Sequence, residues 1–242
     1  MSEKLVIFGG SGAVGAATGR LLRQRGYALH LVGRNEDAVT TAAAELEATF
    51  TVADVTDGAS FARVAQDAGS PLAGLVYAVG TINLRSLARL TEQDFVDDFR
   101  INAAGAALAV AALLPAMKKS ERPASVVLFS TVAASQGFSF HASTAMAKGA
   151  VNGLTLSLAA ELAPKVRVNA IAPSLTQTPL AASLLANEQT AQSLARLHPL
   201  LRLGTAEDIA AATAFLVSQE ASWITGQIIG VDGGRSTLRT AN

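Results

Sequence analysis

Leu5-Val6-Ile7-Phe8 runs straight into Gly9-Gly10-Ser11-Gly12-Ala13-Val14-Gly15, and an Ala/Leu-rich segment from Ala16 to Arg25 follows with few helix breakers. Glycines at 9, 12 and 15 therefore stand where a first strand turns into a first helix. Glycine accepts a positive φ in such a turn and lets backbone N–H groups come close to a pyrophosphate, to which the helix N-terminus adds partial positive charge. The stretch predicts a dinucleotide site in which Gly9, Ser11, Gly12, Ala13, Val14 and Gly15 hold the phosphates.

The rest of the chain repeats the same alternation. Short Val/Ile/Leu/Phe runs occur at Leu5–Phe8, Ala28–Val32, Phe50–Ala53, Leu75–Ala78, Val126–Phe129, Val166–Ile171 and Ile228–Val231. They are apolar throughout rather than alternating, as strands covered by helices on both faces must be. Between them, 16–25, 35–48, 59–68, 91–119, 142–162 and 206–217 read as crossover helices. The expectation is an α/β, doubly wound, parallel seven-stranded sheet. With no linker, repeat or low-complexity tract, 1–242 reads as a single domain whose residues after Asp232 fray.

Composition narrows the function. Of 242 residues, 50% are hydrophobic and 16% charged, and the mean hydropathy is +0.35, ample for one large core. Nineteen Lys plus Arg balance nineteen Asp plus Glu, with no basic block to neutralise a row of phosphates, so nucleic acid is not an expected partner. Cysteine is absent and His30, His141 and His198 are scattered, so no metal site is expected. The uncharged stretch Leu5–Gly19 contains five glycines, unlike a signal peptide. The most apolar run, Ile101–Met117, is seventeen residues with Asn102, Gly105 and Pro115 inside, short for a membrane span. A cytoplasmic protein with no membrane partner is expected.

After the second strand, where a dinucleotide fold carries an acid for the ribose 2′-hydroxyl if the cofactor is NAD, stand Gly33 and Arg34. A guanidinium suits a 2′-phosphate, so NADP(H) is expected over NAD(H); the alternative is that Arg34 is an ordinary solvated charge.

Over essentially its whole length the chain resembles the short-chain dehydrogenase/reductase family, whose sheet is the Rossmann fold. Gly9–Gly15 is similar to the family's TGxxxGxG loop, with Phe8 at the Thr position and Ala13 at the second Gly. Asp54-Val55 resembles its adenine-contacting acidic pair. Tyr77-Ala78-Val79-Gly80 stands where the family has NNAG, and Asn102 where it has a helix-kinking Asn. Ser130-Thr131 falls at its catalytic Ser, and Lys148 at its catalytic Lys. Pro173 and Thr178 fall in its nicotinamide loop, and Ile224–Gly234 is similar to its C-terminal signature. The resemblance implies that Lys148 holds the ribose and that Thr131 hydrogen-bonds the substrate oxygen. Asn102 would hold a water leading to the Lys, and Ala78, Gly80, Pro173 and Thr178 would line the nicotinamide. Thr178 is also a candidate helix N-cap before Pro179. A homodimer or homotetramer built on the long helices and the last strand is implied as well.

One departure bears on chemistry. The family pairs a Tyr with the Lys four residues on, but here Thr144 occupies that position, and an aliphatic hydroxyl is a poor general acid. Only Tyr27 and Tyr77 exist, and Tyr77 alone ends a strand near the expected cofactor. His141 precedes Lys148 by seven, a spacing similar to the YxxMxxxK of bacterial enoyl-ACP reductases, and imidazole donates protons at neutral pH. His141 is therefore a candidate proton donor, or else a loop or cap residue, while His198 reads as structural. The stretch 174–203 is rich in Leu and corresponds to the family's substrate flap, implying a mostly apolar substrate unless those leucines only pack the flap. Two readings remain: an NADP(H)-dependent oxidoreductase acting on a carbonyl/hydroxyl or activated double bond, and a catalytically silent NADP(H)-binding subunit or sensor.

Overall fold

The computed structural model describes residues 3–240, so the outermost two positions at each end of the expected domain lie outside the described residues. Seven strands form one sheet: β1 (Lys4–Phe8), β2 (Ala28–Gly33), β3 (Thr49–Val52), β4 (Gly74–Tyr77), β5 (Ala124–Phe129), β6 (Val166–Pro173) and β7 (Ile228–Val231). Their order is β3-β2-β1-β4-β5-β6-β7, with every pairing parallel. The winding reverses between β1 and β4, which opens a crevice at the carboxyl ends of the strands.

Successive strand side chains point to opposite faces, and each face buries its own helices. Leu5 and Ile7 pack on the side of α1 (Ala13–Gln24), α2 (Glu36–Glu45) and α8 (Ala206–Val217). Val6 and Phe8 pack on the side of α3 (Ser60–Ala68), α5 (Gly105–Met117) and α6 (Ala142–Leu162). Both clusters have buried sheet residues at their centres, which is why the strands are apolar on both faces.

The single helix expected over 91–119 is interrupted. Thr91 caps α4 (Glu92–Phe99) with a reciprocal Asp94 contact, a π-helical turn spans Arg100–Ala104, and α5 follows. Two side chains account for the break. Asn102 Nδ2 donates to the Asp98 carbonyl (2.8 Å) that an α-helix would satisfy from its own backbone, and the Tyr77 hydroxyl donates to the Ile101 carbonyl (2.7 Å). The run Glu92–Met117 has the length and apolarity of a membrane span, but Ala106, Ala109, Val110, Leu113 and Met117 are buried against the sheet.

Two other expectations change. The 174–203 stretch contains a helix that composition did not reveal, α7 (Glu188–Arg196), capped by Asn187. The chain beyond Asp232 is folded, not frayed, through Leu238: Gly234 and Ser236 donate to the Asp232 carboxylate, and Leu238 N–H reaches the Gly234 carbonyl.

Candidate active site

The functional residues gather at the carboxyl ends of the strands in the order the sheet dictates. At β1, Gly9 has φ +72°, and a Cβ there would lie 2.7 Å from the Ala78 carbonyl oxygen. A Cβ on Gly15 would fall 2.1 Å from the Gly9 carbonyl oxygen, so only glycine lets α1 start this close to the loop. Gly12 is the N-cap, and its N–H returns to the Gly9 carbonyl (2.9 Å). The first N–H groups of α1, from Ala13 on, have no intrahelical acceptor and point out of the helix beside half-buried Ser11. This is a backbone cradle of the kind a pyrophosphate fills.

The neighbouring strand ends carry the charges. Arg34, after β2, is exposed and forms no ion pair among the described residues. Asp54, after β3, accepts from Thr56 N–H (2.8 Å) and Thr56 Oγ1 (2.7 Å). Those bonds, with a contribution from Arg34, hold its carboxyl below the usual carboxylate range. Val55 turns inward and packs on the α3/α5/α6 face. Ala78 N–H bonds the Phe8 carbonyl (2.9 Å), which ties the end of β4 to the glycine loop.

Beyond β4 lies a cavity of about 480 Å3, roofed by the segment after β6 and by α7. Thr131, His141, Thr144, Lys148, Pro173 and Thr178 all line it, as do Val14, Ala78 and Gly80 from the cofactor set. Arg34, Asp54 and Val55 do not, because they sit at the far strands. Thr178 stands at the N-cap place of the 3-10 turn Pro179–Leu184 without capping it, and faces the cavity. Of the flap leucines, Leu175, Leu180, Leu184, Leu194 and Leu197 line the cavity; Leu185 and Leu200 do not.

Lys148 is buried, and its Nζ donates to the Phe129 carbonyl (2.7 Å). Burial pushes the ammonium down to about 8, against an opposing pull from Asp98. A Cβ on Gly80 would meet Asn102 Oδ1 at 3.1 Å and Lys148 Nζ at 3.2 Å, so Gly80 is the gap between those two groups and the cavity. Behind it lies a network absent from the sequence expectations. Thr81 Oγ1 donates to Asp98 Oδ1 (2.6 Å) and accepts from Asn102 Nδ2 (2.8 Å), and Ser143 donates to the other Asp98 oxygen. Neither Asp98 nor Ser143 lies in a recognisable motif; only the buried pairing reveals them.

The hydroxyl and imidazole candidates differ in freedom. Thr144 is buried, and its Oγ1 donates to the Asn83 carbonyl (3.2 Å) and accepts from Asn83 N–H (3.3 Å). Thr131 Oγ1 is more loosely held, accepting from Ala133 N–H (3.3 Å) and lying 3.5 Å from the Pro173 carbonyl. His141 is the N-cap residue of α6, but its ring caps nothing; Nδ1 lies 2.7 Å from the Ser139 carbonyl, and the ring sits 5.5 Å from Phe138. His198 is buried, with Nε2 on Ser174 Oγ and Nδ1 on the Leu194 carbonyl, both 2.9 Å, so it pins the flap. Tyr77 is no longer a candidate near the cofactor: it is fully buried against Phe8, off the cavity, and burial pushes its phenol far up.

A parallel doubly wound sheet with a glycine cradle at its switch point defines a Rossmann-type, dinucleotide-binding fold, with a buried Lys in the adjoining cavity. A family model described as "Enoyl-(Acyl carrier protein) reductase" matches residues 10–236. A bovine 3-oxoacyl-[acyl-carrier-protein] reductase is 33% identical over 241 residues, covering 97% of this chain and 98% of that protein. A Xanthobacter autotrophicus protein named inactive 2-(S)-hydroxypropyl-CoM dehydrogenase 2 is 35% identical over 224 residues, 88% of this chain and 96% of its own. A solved short-chain type dehydrogenase/reductase from Mycobacterium ulcerans superposes with a TM-score of 0.91 at 28% identity, over 99% of this chain and 92% of that one. The chain belongs to the short-chain dehydrogenase/reductase family, whose oxidoreductases use a nicotinamide cofactor, NAD or NADP.

Proposed function

We propose that the chain is an NADP(H)-dependent oxidoreductase acting on a carbonyl/hydroxyl pair or an activated double bond of a mostly apolar small molecule. The observation that carries this reading is Lys148, an ammonium kept buried at the cavity wall beside Gly80 and Asn102. The cradle closed to any side chain at Gly9 and Gly15, and the unpaired Arg34, fit the pyrophosphate and the 2′-phosphate of NADP(H). Asp54 and Val55 would meet the adenine; Ala78, Gly80, Pro173 and Thr178 would border the nicotinamide and its ribose. When bound, the nicotinamide supplies or accepts the hydride.

The chain's own residues handle the oxygen and the proton. Thr131 donates a hydrogen bond to the substrate oxygen, and the charge of Lys148 stabilises the negative charge growing there. His141, with Nδ1 donating to the Ser139 carbonyl, presents Nε2 as the proton-bearing atom in its imidazolium form. Thr144, with its hydroxyl tied to Asn83, packs beneath them, and Asn102 keeps the floor of the site in register. The 174–203 segment acts as the substrate flap. The partners are a small molecule and further copies of the chain, with no nucleic acid or membrane, in the cytoplasm. Half-exposed Val96, Phe99, Leu108 and Leu156 on α4 to α6 support a homodimer or homotetramer, an assignment that a monomer mass by light scattering would overturn.

The test is a fluorescence titration with NADPH and NADH side by side. NADPH is expected to bind selectively and to weaken roughly ten- to hundredfold in Arg34→Ala, the scale of a lost charge-assisted contact; equal binding of the two cofactors removes the NADP(H) assignment. In His141→Phe, hydride transfer should fall about a hundredfold or more with NADPH affinity unchanged, and an unaltered rate retires His141 as donor. A second reading, a silent NADP(H)-binding subunit or sensor, has its own support: among the described residues no phenol lines the cavity, and one relative's name carries the word inactive.

A further inference from the structure

Four titratable side chains line the cavity: His141, Lys148, His198 and Arg235. All are bases, and among the described residues no carboxylate lines it. Lys148 is committed to the Phe129 carbonyl, and His198 to Ser174 and Leu194. Arg235 is different. Its guanidinium lies 5.2 Å from the centre of the Phe138 ring, and among the described residues it donates to no protein acceptor. The nearest acid in sequence, Asp232, is consumed by Gly234 N–H, Ser236 N–H and Ser236 Oγ. The Asp98 carboxylate is bonded to Thr81 and Ser143, outside the cavity lining.

A guanidinium held over an aromatic ring leaves its N–H groups open to a bidentate acceptor. A half-buried cation with no acceptor among the described residues is an incomplete pair. Apart from Ser and Thr hydroxyls, among them Thr131, Ser174 and Thr178, the remaining walls are largely apolar, with Leu84, Leu180, Leu184, Leu194 and Leu197 extending from Phe138 along the flap.

Resting on the substrate cavity of the reading above, we infer that the substrate is an apolar acid whose carboxylate binds Arg235 while its hydrocarbon body lies along the flap leucines. Phe138 holds the guanidinium in place, and its contact with His141 ties the anchored end of the substrate to the proposed proton donor. The acid is chosen over a neutral ligand of the same shape because only the acid completes the pair.

The experiment is calorimetric titration of the full chain, saturated with NADPH and again without it, using octanoate and its uncharged counterpart octanamide. Octanoate is expected to bind about tenfold or more tighter, the worth of a charge-assisted pair. Arg235→Gln should abolish that preference while leaving octanamide affinity unchanged, which also reports that the variant is folded. Should Arg235→Gln fail to fold, the uncharged Arg235→Met decides: loss of the preference supports the inference, and a full preference overturns it. Equal affinities in the unaltered protein, a preference that survives Arg235→Gln, or no binding of either probe overturn it as well. A chain that shows the Arg235-dependent preference yet binds no NADPH would keep this inference and lose the cofactor reading.

Discussion

The two halves of the sheet build their shares of the site from different materials. From β3 to β1 the phosphate cradle is main chain: a glycine at φ +72°, a helix start packed against a carbonyl, and an N-cap without a side chain, with the side chains of Arg34 and Asp54 only at its outer edge. From β4 to β7 the walls are mostly side chains drawn from distant segments, including a Lys on α6 and an Arg beyond the last strand, with the Asn of a π-helical turn just behind Gly80. Backbone geometry tolerates almost no substitution where a Cβ has no room. A side-chain site can exchange one group for another and keep its shape. The chain follows that rule: Gly9 and Gly15, where a Cβ has no room, are kept, while the loop's second family Gly is Ala13 and the phenol that the family places four residues before the Lys is a Thr.

If that contrast is right, the largest effect comes from the backbone half. Gly15→Ala puts a methyl 2.1 Å from the Gly9 carbonyl oxygen, and should abolish NADPH binding and cost about 3 kcal/mol of stability. The readouts are the titration and urea unfolding; an alanine variant that binds normally would show the loop to be slack. Next is Lys148, whose folded value of about 8 lies below the ordinary 10.5. Between those values the unfolded chain holds more protons than the folded one, so stability rises with pH across the window. Relative to Lys148→Met, the unaltered protein should gain up to about 3 kcal/mol between pH 8 and 10.5. A constant gap between the two urea midpoints would remove burial as the cause. The smallest effect belongs to Tyr77→Phe, which leaves the Ile101 carbonyl short of a donor at about 1 kcal/mol and leaves hydride transfer untouched. A collapse of activity in that variant would return the phenol to the chemistry.

The sequence carries the backbone half and much of the scaffold. The expected α6 and α8 coincide with the observed helices, and the seven strands differ only at their ends, because long apolar runs and periodic helices leave little choice. Helix α1 starts at Ala13 rather than Ala16, since the glycine loop needs no spacer before its cap. Helix α7 escaped because Glu188-Gln189-Thr190-Ala191-Gln192 is mostly polar and its apolar side faces a cavity rather than a core. The π-helical turn at 100–104 is invisible to periodicity, for it depends on Asn102 and Tyr77 reaching carbonyls of the same helix. Asp98, Ser143 and Arg235 escaped for a related reason: each acquires its meaning from a residue far away in the chain.

The bolt between Tyr77 and the π-helical turn also constrains how the sequence can vary. A Cβ on Gly105 would lie 2.3 Å from the Tyr77 hydroxyl oxygen but 3.3 Å from the ring carbon that bears it. Alanine at 105 is thus forbidden beside tyrosine and nearly admissible beside phenylalanine. The order of steps matters: position 77 must give up its hydroxyl before position 105 can gain a methyl. The two sites form an epistatic pair in which the smaller residue is licensed by the larger one.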